Sequence, residues 1–129
     1  MTTMTSDLYI LGDVDRVRER IERHLLAGKL DALKQFSDTL TAEVGALARR
    51  IHKAFSADII MAGGDDVLFC VPQDRYSKTD LETIAQQFAS ESGCTISFGV
   101  AADITTAYVN LRRAKSSGGN VIIDSGAIS

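Results

Sequence analysis

The sequence predicts an α+β fold of ferredoxin-like topology, a central antiparallel sheet with helices mainly on one of its faces. Three observations point there. Short apolar runs of strand length alternate with longer segments whose apolar residues recur every three or four positions. The two middle runs are joined by Gly63-Gly64-Asp65-Asp66, a turn of hairpin composition. The resulting order, β-α-α-β-β-α-β-α-β, contains a split βαβ arrangement in which both crossovers put their helices on one side of the sheet.

Leu8-Tyr9-Ile10-Leu11 reads as a buried strand ending in the acidic turn Gly12-Asp13-Val14-Asp15. Val14, Val17, Ile21 and Leu25 mark a first helix up to the break at Gly28, with Arg16, Arg18, Arg20, Glu22 and Arg23 on its remaining surface. Leu33, Phe36, Leu40, Val44, Leu47, Ile51 and Phe55 step by three and four, which gives a second helix roughly 35–40 Å long at 1.5 Å per residue. Strands over 57–62 and 67–71 flank the glycine-rich turn, and Pro72 ends the second. Thr79-Asp80-Leu81-Glu82 has capping-box spacing and opens a third helix, whose apolar face of Leu81, Ile84, Ala85 and Phe88 is closed off by Gly93. A strand over 95–100 follows. Ala107, Tyr108, Leu111 and Ala114 then mark a last helix, stopped by Gly118-Gly119, and Val121-Ile122-Ile123 is a short final strand.

A chain of 129 residues, 45% hydrophobic and 24% charged, suits one domain over 1–129. A domain of that size buries roughly 70% of its unfolded surface and needs no disulfide or structural metal. Cys70 and Cys94 lie in apolar runs and read as reduced core thiols, which points to a cytoplasmic location. No apolar stretch approaches the roughly 18 residues that span a bilayer, and residues 1–7 lack the composition of a secretory leader, so no membrane partner is expected. The net charge of -3 argues against long nucleic acid, whose binding comes largely from phosphate neutralisation. A small anionic ligand at one local site remains compatible with it.

The topology places the first strand beside the hairpin, so Asp13 at its end and Asp65-Asp66 in the turn meet on one edge. Crowded carboxylates repel one another unless a cation sits among them, and oxygen-only ligands favour Mg²⁺ or Mn²⁺. A glycine turn lets a triphosphate or ribose approach the backbone closely. Taken alone, Gly-Gly-Asp-Asp is what ordinary turns prefer, and an Asp after a strand often only caps a helix. It is the combination at matching strand ends that indicates a metal site suited to in-line nucleotidyl transfer. Asp15 reads as a cap or supporting group rather than a ligand. The arginines of the first helix are either a solvated face or a hold on a triphosphate tail or on a second protomer's substrate. Lys115 in the last turn of a helix is favoured by the dipole in any case. His24 and His52 have no metal-ligating neighbour in sequence and read as surface residues, whereas Ser37, Tyr108 and Asn110 fit either a base or ribose pocket or helix packing.

Gly12-Asp13-Val14-Asp15, the Gly-Gly-Asp-Asp hairpin, Ile96-Ser97-Phe98-Gly99-Val100-Ala101 and Arg113-Ala114-Lys115-Ser116-Ser117-Gly118-Gly119-Asn120 together resemble, in order and over most of the chain, the signatures of GGDEF-type nucleotide cyclases and of the polymerase palm of type III CRISPR effectors. With Asp-Asp in place of Glu-Phe and no partner domain, the chain is most similar to the minimal CRISPR polymerases (mCpol), single-domain palms of prokaryotic antiviral defence. The resemblance implies a palm that condenses nucleoside triphosphates into a cyclic dinucleotide or short cyclic oligonucleotide signal, using two metal ions. By position, Asp13 and Asp65 would ligate metal with help from the Val14 carbonyl. Asp66 would be a further ligand, or a base near the 3′-end hydroxyl. Gly63 and Gly64 would floor the nucleotide site, while Lys115 and Arg18 would contact the triphosphate.

Departures from the GGDEF pattern are informative. Ile21 and the neighbourhood of Leu30 stand where those enzymes read guanine with Asn and Asp, which makes ATP the favoured substrate. Gly119 replaces a basic residue that contacts phosphate, and Phe55 sits near where the arginine of a product-inhibition motif would be. One palm carries half of a ring-closing site, so a homodimer is expected, and a separate effector would sense the product. The competing expectations are a mononucleotide cyclase and a non-catalytic nucleotide-binding palm or scaffold.

Overall fold

The computed structural model describes residues 6–125. It contains β1 (Asp7–Val14), α1 (Val17–Leu26), α2 (Leu30–Phe55), β2 (Asp58–Gly63), β3 (Asp66–Pro72), a 3₁₀ turn (Gln73–Arg75), α3 (Lys78–Ser92), β4 (Ile96–Ala101), α4 (Ile104–Ser116) and β5 (Ile122–Asp124). The predicted order of elements is the observed one, and the fold class is the expected α+β. Strands lie in the order β2-β3-β1-β4-β5, antiparallel except for the β4–β5 pair.

Period-two burial decides which face is which. Leu8, Ile10 and Val14 of β1, Val67, Phe69 and Val71 of β3, and Ile96, Phe98 and Val100 of β4 join the buried residues of α2 and α3 in one core. Seven α2 residues, from Phe36 to Phe55, are buried along a helix of 26 residues, about 39 Å. Each large one removed from water contributes roughly 1.5–3 kcal/mol. The opposite face carries α4. A Cβ on Gly99 would run into the α4 backbone at Ala107 and Leu111, so the glycine lets this helix lie directly on β4.

Several local expectations are corrected. Val14 belongs to β1, and α1 buries no residue: Val17 and Ile21 only lean on the core, while Leu25 and Leu26 are exposed. β2, read from its apolar run as an ordinary strand, is an exposed edge strand, and it is β3 of the hairpin that pairs with β1. The cap of α3 is Ser77, whose hydroxyl accepts from the Asp80 amide, two residues before the predicted capping box. Cys70 is half-buried on β3 and Cys94 is buried just ahead of β4; both are free thiols.

Candidate active site

The register delivers the predicted acidic edge. Asp13 pairs across the sheet with Asp66, and Asp66 pairs with Gly63, leaving Gly64 and Asp65 as a two-residue turn. Gly64 takes φ +59° there, a conformation other residues resist. The Val14 amide donates to the Asp65 carbonyl at 2.8 Å and ties the turn to the end of β1. The strand pairing that buries the core thus also brings Asp13, Asp65 and Asp66 to one end of the sheet.

Behind them stands Lys115. Its Nζ lies 3.0 Å from Asp13 Oδ2 and 2.8 Å from Asp15 Oδ1, and it donates to the carbonyls of Asp13 at 3.0 Å and Val14 at 3.1 Å. Asp15 is only 6% exposed. It also accepts from Thr95 Oγ1 at 2.7 Å, Ser97 Oγ at 2.8 Å and the Asn120 amide at 2.8 Å. Burial alone would raise its pKa, but the bonds from Lys115, Thr95, Ser97 and the Asn120 amide outweigh it and hold the carboxyl below its ordinary value. At Asp13 burial prevails: with repulsion from Asp65 and Asp66 it raises the pKa despite the opposing pull of Lys115. Of the two sequence readings of Asp15, cap or supporting group, the cap is excluded, since α1 begins after Arg16 with no side-chain cap.

Lys115 faces carboxylates and strand carbonyls, among them the Val14 carbonyl expected to help a metal. Gly119 also has a structural reason. At φ +81° it runs so close to Asp15 that a Cβ would overlap the carboxylate, which explains why no basic side chain stands there.

Two cavities open beside the acidic edge. One of about 310 Å³ is lined by Asp13, Asp66, Lys115, Leu11, Tyr108 and Arg112, among others. The second, about 430 Å³, is lined by Val17, Arg18, Ile21, Glu22 and Asp65. Asp65 thus faces the α1 side together with Arg18, while Asp13 and Asp66 share the α4 side. Among the described residues no three His, Cys, Asp or Glu side chains stand close enough to cage a metal. The donors are nonetheless all oxygen, and Mg²⁺ is typically held by one or two carboxylates plus substrate phosphates, so the residues present fit such an ion. Nothing lies within 4 Å of a Cβ built on Gly63 or Gly64, which leaves the turn open to a ligand.

Tyr108 lines the cavity beside Asp13 and Asp66 and is exposed. Asn110 is buried and bonds the Val100 carbonyl and Ser125 Oγ, a packing role, and Ser37 is exposed on α2. His52 bonds the Ala57 carbonyl at 2.7 Å, and His24 lies against the Phe36 ring. Arg112 was not foreseen; its signal is its place one helical turn before Lys115.

The family described as minimal CRISPR polymerase domain (mCpol) matches residues 9–125. Among solved structures, the chain is similar to the Csm1–Csm4 cassette in complex with cA3, with TM-score 0.72, 17% identity, and coverage of 96% of this chain and 22% of that one. The same cassette in complex with one ATP gives TM-score 0.67 and 18% identity over 94% of this chain and 21% of that one. A diguanylate cyclase, SiaD, in complex with its activator SiaC from Pseudomonas aeruginosa gives TM-score 0.57 and 15% identity over 94% of this chain and 50% of that one. These likenesses show the fold. The chain spans about a fifth of the Csm1 chains and half of the cyclase chain. No curated protein matches.

Proposed function

The chain belongs to the minimal CRISPR polymerase family, and on that premise we propose that it is a metal-dependent nucleotidyltransferase making a cyclic dinucleotide or short cyclic oligonucleotide, with ATP as the favoured substrate. The observation that carries this reading is the pairing of Asp13 with Asp66 across β1 and β3, with Asp65 in the adjoining turn. In this reading a ribose hydroxyl of one nucleotide attacks the α-phosphorus of another, a new P–O bond forms, and pyrophosphate leaves. Asp13 and Asp65 would hold Mg²⁺ or Mn²⁺ with the Val14 carbonyl, and Asp66 would be a further ligand or would accept the hydroxyl proton. The bound ion would neutralise charge on the phosphates and lower the hydroxyl's pKa.

The remaining work falls to the chain's own residues. Lys115, held by four acceptors, fixes the end of β1 and offsets the carboxylates before any ion arrives. Gly63 and Gly64 leave the turn open for ribose and phosphate, and Arg18 stands where it can meet a phosphate beside Asp65. Ile21 and Val17 offer an apolar wall without the side-chain amide that guanine recognition would use. That the similar Csm1–Csm4 cassette is described with ATP and cA3 supports the adenine preference. Ring closure would pair two protomers, and a separate effector would read the product in antiviral defence.

The test is incubation with Mg²⁺ or Mn²⁺ and each nucleoside triphosphate, followed by mass spectrometry. A cyclic adenylate product that disappears in Asp65→Ala is expected. A cyclic mononucleotide would instead assign the cyclase reaction, and metal-dependent binding without turnover would assign a scaffold.

A further inference from the structure

A third cavity, of about 390 Å³, opens on α1 and the loops ahead of β4 and β5, and it contains none of Asp13, Asp65 or Asp66. Ligand sites of small molecules begin at roughly this size. Arg16, Arg20 and Arg23 line it, so the structure divides the arginines of the first helix: Arg18 turns to the Asp65 side and these three to the other. None of the three has an ion-pair partner among the described residues. Arg20 is half-buried and Arg16 and Arg23 are exposed beside it, so in a chain of net charge -3 this cavity gathers three guanidinium groups suited to an anion.

The local acids do not supply it. Asp15 lies in the wall but is already committed to Lys115 and three other donors, and Glu19 is a single exposed carboxylate. Arg20 is set in place by the Phe36 ring, 4.7 Å below its guanidinium, and makes only long contacts to the Gly93 carbonyl and Cys94 Sγ, so its donors remain available. Arg16 holds φ 61°, a conformation unusual for arginine that turns the chain from β1 into α1. Across the cavity are Gly118 and Asn120, and the position between them has no room for a cationic side chain.

We propose that this cavity binds a phosphoanhydride, with Arg16, Arg20 and Arg23 supplying the positive charge. Guanidinium forks match phosphate oxygens in pairs, and three of them suit a chain of phosphates better than a single carboxylate. Asp15 in the cavity wall is joined through Lys115 to Asp13 at the acidic edge. The ligand is therefore either the triphosphate tail of a nucleotide seated at that edge or free pyrophosphate. The first of these sources rests on the nucleotidyl-transfer reading; the anion site itself does not.

Isothermal titration of the full chain with sodium tripolyphosphate, in EDTA and at fixed salt, tests it. Saturable one-to-one binding is expected. The double variant Arg16→Gln/Arg23→Gln should weaken it at least tenfold, while Arg75→Gln/Lys78→Gln, the same charge change at the far end of the sheet, should alter it less than twofold. Unchanged affinity in the first variant, or an equal loss in both, overturns the proposal. Displacement of tripolyphosphate by ATP assigns the cavity to the substrate tail, and displacement by pyrophosphate but not ATP assigns it to the free anion. Intact tripolyphosphate binding in a protein that makes no product from any nucleotide would overturn the synthase reading and leave the site standing.

Discussion

Asp13 and Asp15 are two residues apart, both reach Lys115, and the fold treats them in opposite ways. Asp15 is buried and meets four donors, which hold its proton affinity down. Asp13 is a third exposed and has Lys115 as its charged partner, yet its partial burial, with repulsion from Asp65 and Asp66 added, raises its proton affinity. A saturated carboxylate is a structural element, whereas an under-compensated one at the mouth of a cavity is poised to take a cation. The comparison can be broken by mutation at either end of the lysine.

The largest effect is expected at Asp13. Asp13→Asn keeps the side chain's size and removes the charge, and product formation should fall about a thousandfold or more, the several kcal/mol a metal contributes to such a transition state. Urea unfolding of the metal-free variant should be close to wild type or slightly more stable, because a repelling charge has gone. A large loss of stability with normal turnover would reverse the roles of the two carboxylates.

Asp15→Ala should do the converse. It takes from Lys115 the more buried of its two carboxylate partners and leaves two hydroxyls and the Asn120 amide without their acceptor, and a buried donor left unsatisfied costs about 1–3 kcal/mol. Urea unfolding followed by circular dichroism measures it. A loss under about 1 kcal/mol would show that the network is dispensable.

This difference between the two acids marks how far the sequence could be read. The order of elements, the long second helix and the meeting of Asp13 with the hairpin were legible because apolar periodicity and turn glycines are local signals. The place of Asp15 was only half legible: Thr95, Ser97 and Asn120 lie 80 to 105 residues away, and nothing local marks them as its donors. The exposed surface of α1 was misread for a related reason, since an apolar stripe does not say whether anything covers it. The partners of Lys115 were not legible either, because the packing of α4 on β4 that brings its Nζ to the carbonyls of Asp13 and Val14 joins residues about a hundred positions apart.

A smaller effect separates the bridge from its ends. Lys115→Met should destabilise the protein, but the double variant Lys115→Met/Asp15→Ala should lose less than the sum of the two, by about 0.5–3 kcal/mol of coupling. The corresponding cycle with Asp13→Asn should show weaker coupling, because Asp13 is more exposed than Asp15. Urea midpoints of the four proteins in each cycle decide it, and equal coupling in the two cycles would erase the distinction.

The smallest effect is on the pH dependence of stability, and its two components have opposite signs. Asp15's carboxyl is held below 3.8 in the folded state, so its contribution is fully present above that value and is lost as pH falls through the lower folded value. Asp13's is raised above 3.8, so its ionisation costs stability once pH rises past the folded value, and that cost is relieved as acid returns the proton. Unfolding curves in EDTA at pH values from neutral to strongly acid should show both. Asp13→Asn should remove the relief seen on approaching 3.8 from above, and Asp15→Asn should flatten the loss seen below it. An acid-side loss that persists unchanged in Asp15→Asn would mean that other carboxylates, and not this hub, set the acid limit of the fold.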